Sequence, residues 1–142
     1  MAPVPAWDCP ECGRRFARRG QGHECAPAMA LEEYFSTGPP FERPVFDAVM
    51  ARLATLGDVH VEPVSVGIFL KRPEKVAELR PLTRWVAISF PLPRRVQHAR
   101  ITRKPVQWGR GWWHVANVRS PDDVDGPLLD LLEEAYHFAG SS

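Results

Sequence analysis

The chain has 142 residues and a formal net charge of +1, with 44% hydrophobic and 25% charged residues. This length accommodates one compact domain of about 100 residues with a small appendage, and it excludes a pair of catalytic domains. No apolar run approaches the roughly 18 residues that a membrane-spanning helix needs, so no membrane partner is expected. The amino terminus has neither a basic start nor an apolar run, and we therefore expect a cytoplasmic protein without a secretory signal.

All three cysteines lie among the first 25 residues, where Cys9, Cys12, His23 and Cys25 follow the spacing C-x2-C-x10-H-x-C. The segment Cys9-Pro-Glu-Cys-Gly is typical of a zinc knuckle, in which Gly13 adopts a positive φ and backbone N–H groups point at the sulfurs. Four protein ligands complete a tetrahedron and leave no position for water or substrate. The spacing therefore predicts a structural Zn2+ ion.

Three alternatives to zinc are open to these cysteines. A disulfide would leave one thiol unpaired and suits a secreted protein, whereas a redox C-x-x-C requires a strand and helix context that is not predicted here. An inert thiol cluster would have no reason for its spacing. If zinc binds, Trp7 and Phe16 form the small core of the module, and the metal supplies folding free energy on the order of 10 kcal/mol.

Four arginines lie between the two pairs of predicted ligands. They are either a nucleic-acid contact or a solvated loop. The spacing of the ligands is not that of a DNA-reading C2H2 finger, and the glycines between them disfavour a recognition helix. These arginines are Arg14, Arg15, Arg18 and Arg19.

The rest of the chain divides into a linker over residues 27–41 and a domain over residues 42–140, after a zinc module at residues 1–26. The linker includes a short helix near Tyr34, bracketed by proline and glycine. Apolar residues at helical spacing predict an amphipathic helix from Glu42 to Leu56.

Alternating apolar residues then predict an antiparallel sheet of about five strands. We expect strands near residues 59–62, 66–70, 85–92, 100–104 and 111–118. Ser120 and the aspartates after it predict a capping box at the start of a closing helix. The predicted fold is α+β, with an amino-terminal and a carboxy-terminal helix covering one side of the sheet, preceded by a small zinc ribbon or knuckle.

The small net charge conceals a segregation along the chain. Residues 65–119 contain 12 basic and 2 acidic residues, whereas residues 120–142 contain 6 acidic residues and no lysine or arginine. Residues 26–64 are also acidic, with 2 basic and 6 acidic residues. A local positive potential of this kind attracts polyanions whatever the overall charge.

Residues 65–119, called the basic block, also contain most of the tryptophans. Interleaved cations and flat rings are typical of proteins that bind single-stranded nucleic acid. Because adjacent strand residues face opposite ways, Trp112 and Trp113 cannot both lie in the core of one face. The alternative is that one ring is core and the arginines form a solvated rim. The candidate phosphate-binding residues here are Arg94, Arg95, Arg100, Arg103, Lys104 and Arg110. The candidate stacking or pocket residues are Trp85, Trp108, Trp112, Trp113, His98 and His114.

Several of these motifs resemble a known family. The pattern W-x-C-P-x-C-G-R-x-F, a short helix ending in G-P-P, and the terminal S-P-D-D-V-D resemble small bacterial proteins of domain-of-unknown-function family 5655. The resemblance extends from Trp7 to Tyr136. It implies a zinc ribbon-like amino terminus on an α+β domain, which in other architectures is sometimes joined to nuclease-like modules.

No catalytic residue is predicted. Serine-hydrolase and phosphate-loop motifs are absent from the sequence, and the predicted ligand set occupies every cysteine. A carboxylate cluster at Asp122, Asp123 and Asp125 could serve a metal-dependent nuclease, but capping of a helix start is the better explanation.

Two functions are favoured, and a hydrolytic enzyme is a less favoured third. The first is nucleic-acid binding through the basic, aromatic face of the sheet. The second is a module that binds a small anion or a protein partner, with Trp85, Trp108 and Trp112 lining a pocket.

Overall fold

The computed structural model describes residues 7–10, 12–16, 19 and 30–140. Within these residues the chain forms a two-stranded hairpin, a six-stranded antiparallel sheet, three α-helices and one short 3-10 helix. The elements in chain order are β1 (Trp7–Asp8), β2 (Arg15–Phe16), α1 (Leu31–Thr37), α2 (Glu42–Leu53), β3 (His60–Val64), β4 (Gly67–Lys71), β5 (Lys75–Pro81), β6 (Val86–Leu92), β7 (Val106–Trp108), β8 (Gly111–Val118), a 3-10 helix (Pro121–Asp123) and α3 (Gly126–Ala139). The predicted α+β class is confirmed.

The six strands lie in the order β3-β4-β5-β6-β8-β7. The predicted strand at residues 100–104 was wrong, because this segment belongs to a loop and the edge strand β7 begins at Val106. Strand β5 (Lys75–Pro81) was not predicted, because the adjacent buried residues Val76 and Ala77 interrupt the alternation where the β4–β5 pairing shifts register. The sheet therefore has one strand more than expected.

The predicted helices are present, but the closing helix begins later than expected. Ser120 precedes the 3-10 helix and makes no capping hydrogen bond with its side chain. Asp125 is the N-cap of α3 instead, since its carboxylate accepts a hydrogen bond from the Leu128 N–H at 2.9 Å. The predicted capping box at Ser120 was wrong, and an aspartate performs the same physical role five residues later.

The main core lies between one face of the sheet and the helices α2 and α3. Phe46, Val49 and Leu53 of α2 are buried together with Leu128 and Leu132 of α3. Each such side chain stabilises the fold by about 1.5–3 kcal/mol relative to an exposed position. No helix in the described part of the chain is long and apolar enough to cross a bilayer.

Helix α1 packs on this core through a buried carboxyl group. Glu42 is fully buried, and its Oε2 accepts a hydrogen bond from the Tyr34 hydroxyl, while its Oε1 has no partner among the described residues. Burial raises the pKa of Glu42 above its ordinary value, against the opposing effect of the Tyr34 hydrogen bond. A raised pKa favours folding most at a pH below the unfolded-state value, and this stability is lost as the pH rises through the folded-state pKa.

We expect Glu42→Gln to raise the free energy of unfolding more at pH 8 than at pH 4, which lies below the ordinary pKa of a glutamate. Glutamine keeps an acceptor for Tyr34 and removes the cost of ionising a buried group. Urea unfolding at the two pH values measures the effect, with the partly exposed Glu133→Gln as the control. An equal change at both pH values would contradict the assignment of Glu42 as the source of this pH dependence.

Candidate nucleic-acid interface

The face of the sheet opposite α2 and α3 is called the open face. Side chains alternate along each strand, so Ile88 and Phe90 point to the helices while Ala87 and Ser89 point to the open face. Strand pairing puts further residues on the open face. They are Glu62, Phe69, Lys71, Lys75, Glu78, Arg80, Trp113, Val115 and Asn117.

The amino-terminal hairpin contains a tight turn that carries Cys9 and Cys12. The Cys9 N–H donates to the Arg14 carbonyl at 2.9 Å, and the Gly13 N–H donates to the Cys9 carbonyl at 2.7 Å. Gly13 has a φ of 73°, which a residue with a side chain rarely adopts. Cys9 and Cys12 are buried with Phe16, at 5% and 9% exposure, and do not form a disulfide with each other.

Two of the four predicted zinc ligands, His23 and Cys25, lie outside the described residues. Within residues 7–10, 12–16, 19 and 30–140, no three potential metal-ligating side chains cluster together. The turn that carries Cys9 and Cys12 fits the first half of a zinc site, because it holds two buried cysteines, with no disulfide between them, close together on one tight loop.

Glu62 attaches this hairpin to the open face. Its carboxylate is fully buried and accepts hydrogen bonds from Arg14 Nε at 3.0 Å, from the Arg15 N–H at 2.7 Å and from Lys71 Nζ at 3.1 Å. His60 Nε2 lies 3.0 Å from the same group. Burial alone would raise the pKa of Glu62, but the hydrogen bonds from Arg15 and Arg14 and the Lys71 ammonium group together lower it.

The hairpin arginines therefore differ in their surroundings. Arg14 is 9% exposed and lies over the Phe16 and Phe69 rings, so it is not part of an exposed basic surface. Arg15 pairs with Asp8 at 2.9 Å. Arg19 is exposed, and Arg18 lies outside the described residues.

A cleft of about 350 Å³ opens at the far end of the open face, beside the β5–β6 turn. Two of its polar atoms, Trp85 Nε1 and Asn117 Oδ1, are shielded from solvent and have no hydrogen-bond partner among the described residues. The cleft is lined by Trp85, Ala99, Arg100, Thr102, Asn117 and Arg119.

Asp123 holds two residues of this cleft in place. Its Oδ1 accepts a hydrogen bond from the Arg100 guanidinium, and its Oδ2 accepts one from the Arg119 backbone N–H at 2.9 Å. The Arg100 carbonyl accepts a hydrogen bond from the Asn117 N–H at 3.0 Å, so the loop before β7 runs along the edge of β8. Within the described residues, the guanidinium of Arg119 has no acidic partner.

The opposite end of β8 carries a second aromatic group on the open face. The rings of Trp108 and Trp113 are 5.2 Å apart, and Lys75 Nζ lies 5.9 Å from the Trp113 ring. Trp108 is 45% exposed. Trp113, and not Trp112, is therefore the member of the adjacent pair that lies on the open face.

Several predicted binding residues lie on the helix side of the sheet. Arg94 forms an ion pair with Glu134 of α3 at 2.8 Å, and Arg95 lies over the Trp112 ring at 5.0 Å. His114 is fully buried, where its Nε2 accepts a hydrogen bond from the Val96 N–H at 3.1 Å. Burial lowers the pKa of His114, so this neutral imidazole belongs to the core and does not stack on a ligand.

The remaining predicted residues lie in the loop before β7 and in the β7–β8 turn. His98 is held 3.0 Å from Asp125, and Arg110 pairs with Glu74 at 2.9 Å. Arg103 and Lys104 are exposed and have no acidic partner within the described part of the chain. Trp85, Trp108 and Trp112 do not line one pocket, because Trp85 and Trp108 belong to opposite ends of the open face and Trp112 to the other side.

The structure adds candidates that the sequence analysis did not name. Arg80 shares a row of the open face with Ala87 and Asn117, while Arg84 is exposed in the β5–β6 turn. Arg119 and Asn117 could have been found by continuing the alternation of β8, since they share its face with Trp113. Arg80 could not have been found in this way, because it lies on β5, which was not predicted.

A protein-family model described as "Domain of unknown function (DUF5655)" matches residues 31–139. The chain belongs to this family. The match begins at α1 and leaves out the hairpin, so it supports the expected resemblance for the helices and the sheet and not for the segment from Trp7 to Ala30. No curated protein and no solved structure matches the chain.

Proposed function

We propose that this member of the DUF5655 family binds nucleic acid on the open face of its sheet. The proposal rests mainly on one observation: aromatic groups lie at both ends of β8 on that face, at Trp85 and at the Trp108–Trp113 pair. Arg80, Arg84 and Arg119, which have no acidic partner among the described residues, lie on or beside the same face. Guanidinium and ammonium groups bind phosphates, and flat rings stack on bases.

The distribution of charge supports the same face. Glu134 of α3 is occupied by Arg94, and Asp130 and Glu133 lie against Arg52 of α2. Acidic residues of the closing helix are therefore neutralised on the helix side. The cations without acidic partners among the described residues include several at the open face and along its β8 edge. These are Arg80, Arg84, Arg103, Lys104 and Arg119.

We further propose that the hairpin is a structural zinc module, with Cys9, Cys12, His23 and Cys25 as ligands. The tight turn, the positive φ of Gly13 and the burial of both described cysteines support this assignment. In this proposal the ion stabilises the hairpin, and Glu62 docks the hairpin beside the binding face.

Binding of a fluorescently labelled 12-nucleotide single strand, measured by anisotropy across a range of salt concentrations, tests the main proposal. We expect the logarithm of the association constant to fall linearly with the logarithm of salt concentration, by about 0.7 for each phosphate contacted. The double substitution Arg80→Ala/Arg84→Ala, on the open face and in the adjacent β5–β6 turn, should weaken binding and reduce that slope by about 1.4, since it removes two contacts.

The matched control is Arg94→Ala/Arg95→Ala, which removes the same charge from the helix side. This variant should bind with a nearly unchanged salt dependence. If both double variants lose the same affinity, net charge and not the open face governs binding. Absence of binding at low salt would contradict the proposal directly.

A further inference from the structure

We propose that the Trp85 cleft holds a single nucleotide unit, with the base against Trp85 and the phosphate near Arg119. This inference rests on the proposed function, and it names the place where one nucleotide of the strand is held. The same chemistry is offered by a free mononucleotide, so the experiment below compares the two sources.

The size and lining of the cleft fit such a unit. Its volume of about 350 Å³ lies at the lower end of the range for small-molecule sites, about 300–1,000 Å³. The lining combines an indole ring, two guanidinium groups, a hydroxyl group and a carboxamide. An aromatic ring suits a base, whereas guanidinium groups suit a phosphate.

The unpaired polar atoms favour a base over a bare phosphate. Trp85 Nε1 can only donate a hydrogen bond, and Asn117 Oδ1 can only accept one. Neither atom has a partner among the described residues, although both are shielded from water. Such groups destabilise a protein until they are satisfied, so a shift of the cleft wall that opens both atoms to a base edge, with its donor next to its acceptor, is favourable.

The arginines of the cleft are positioned before any ligand binds. Asp123 accepts hydrogen bonds from both the Arg100 side chain and the Arg119 backbone, so a single carboxylate orients this wall of the cleft. The Arg119 guanidinium is exposed and remains available for a phosphate oxygen. The fixed backbone of Arg119 keeps its side chain next to the cleft, while its guanidinium itself is free to move.

The position of the cleft connects it to the rest of the open face. Trp113 lies in β8 and Arg119 directly follows that β-strand, six residues later, which corresponds to roughly 20 Å of extended chain. Asn117 lies between them on the same face. A single-stranded nucleic acid whose bases contact the Trp108–Trp113 pair can therefore continue along this face toward the cleft.

Titration of the 15N-labelled protein with adenosine 5′-monophosphate tests the inference. The Trp85 indole N–H signal, assigned by its loss in Trp85→Phe, should shift together with the Asn117 side-chain amide signals. The Trp112 indole should not shift, because it lies on the helix side. Inorganic phosphate should leave the Trp85 indole unmoved, and an equal shift with phosphate alone would overturn the assignment of a base to this ring.

Binding of the 12-nucleotide single strand provides the second test of the cleft. Trp85→Ala and Asn117→Ala should each weaken binding of the 12-nucleotide strand, by five-fold or more for Trp85→Ala, while Trp112→Phe should not. Normal strand binding by both cleft variants would overturn the cleft inference and leave the nucleic-acid proposal standing. A mononucleotide that shifts the Trp85 indole without any binding of the strand would support the cleft and contradict the nucleic-acid proposal.

Discussion

Replacing Glu62 by alanine is expected to detach the hairpin from the sheet and to lower the free energy of unfolding by about 3 kcal/mol. The carboxylate accepts hydrogen bonds from Arg14, Arg15 and Lys71 in a fully buried position. Removing one member of a buried ion pair leaves the opposite charges uncompensated, which typically costs 3–5 kcal/mol. The lower end applies here because Arg14 and Lys71 can regain water once the hairpin separates.

Urea unfolding of the full chain measures the loss of stability, and limited trypsin digestion at the hairpin arginines reports detachment. Glu78→Ala is the matched control, since Glu78 lies on the same row of the open face and is partly exposed beside Lys75. An exposed or partly exposed pair contributes about 0–1 kcal/mol. Similar losses for the two variants would show that Glu62 is an ordinary surface acid and not the attachment of the hairpin.

The segregation of charge along the sequence acquires two meanings in the fold. Part of it is internal, because Arg94 and Arg100 of the basic block pair with Glu134 and Asp123 of the acidic tail. The 12 basic and 2 acidic residues of 65–119 give a net charge of +10, but these ion pairs neutralise part of it in the folded protein. The cations without acidic partners among the described residues include Arg80 and Arg119 at the open face and Arg95 on the helix side, so only part of the basic block supports the proposed binding face.

The elements with strong periodicity were predicted well. Helix α2 and the strands β6 and β8 were recognisable because Val86, Ile88, Phe90 and Leu92 alternate without interruption. Strand β5 was missed because the irregular pairing near Leu70 is a property of two strands together, and neither sequence shows it alone. The N-cap of α3 was predicted at Ser120 and lies at Asp125. The position was misjudged because one serine and three aspartates, all residue types that cap helices, occur within six residues.

The candidate site was only partly predictable. Trp85, Arg100, Trp108 and Trp113 were named from composition and lie on or next to the open face. The same reasoning could not separate them from residues across the sheet, since ion pairing with α3 depends on where that helix packs. Arg14 shows the limit most clearly: nothing near it in the sequence indicates that Glu62, 48 residues away, buries its guanidinium.

Removal of zinc is expected to unfold the hairpin while the sheet and helices remain folded. A metal that completes a four-ligand site supplies folding free energy on the order of 10 kcal/mol, and the hairpin has only a small core around Phe16 to replace it. The sheet has its own core, built around residues such as Phe90 and Leu132, which contains neither Cys9 nor Cys12. The two parts should therefore respond differently to a chelator.

The purified chain should contain one zinc ion, measured by elemental analysis, and Cys12→Ser or His23→Gln should reduce this content by ten-fold or more. The exposed His137→Gln is the control and should retain the metal. Chelation should expose the hairpin arginines to trypsin and leave the thermal transition of the sheet domain in place. Full zinc content in His23→Gln would show that His23 is not a ligand. If chelation unfolds the hairpin and the sheet domain together, the sheet also depends on the ion. The distinction matters for binding: if the sheet persists without zinc, the affinity of its open face for the single strand can be measured with and without the docked hairpin.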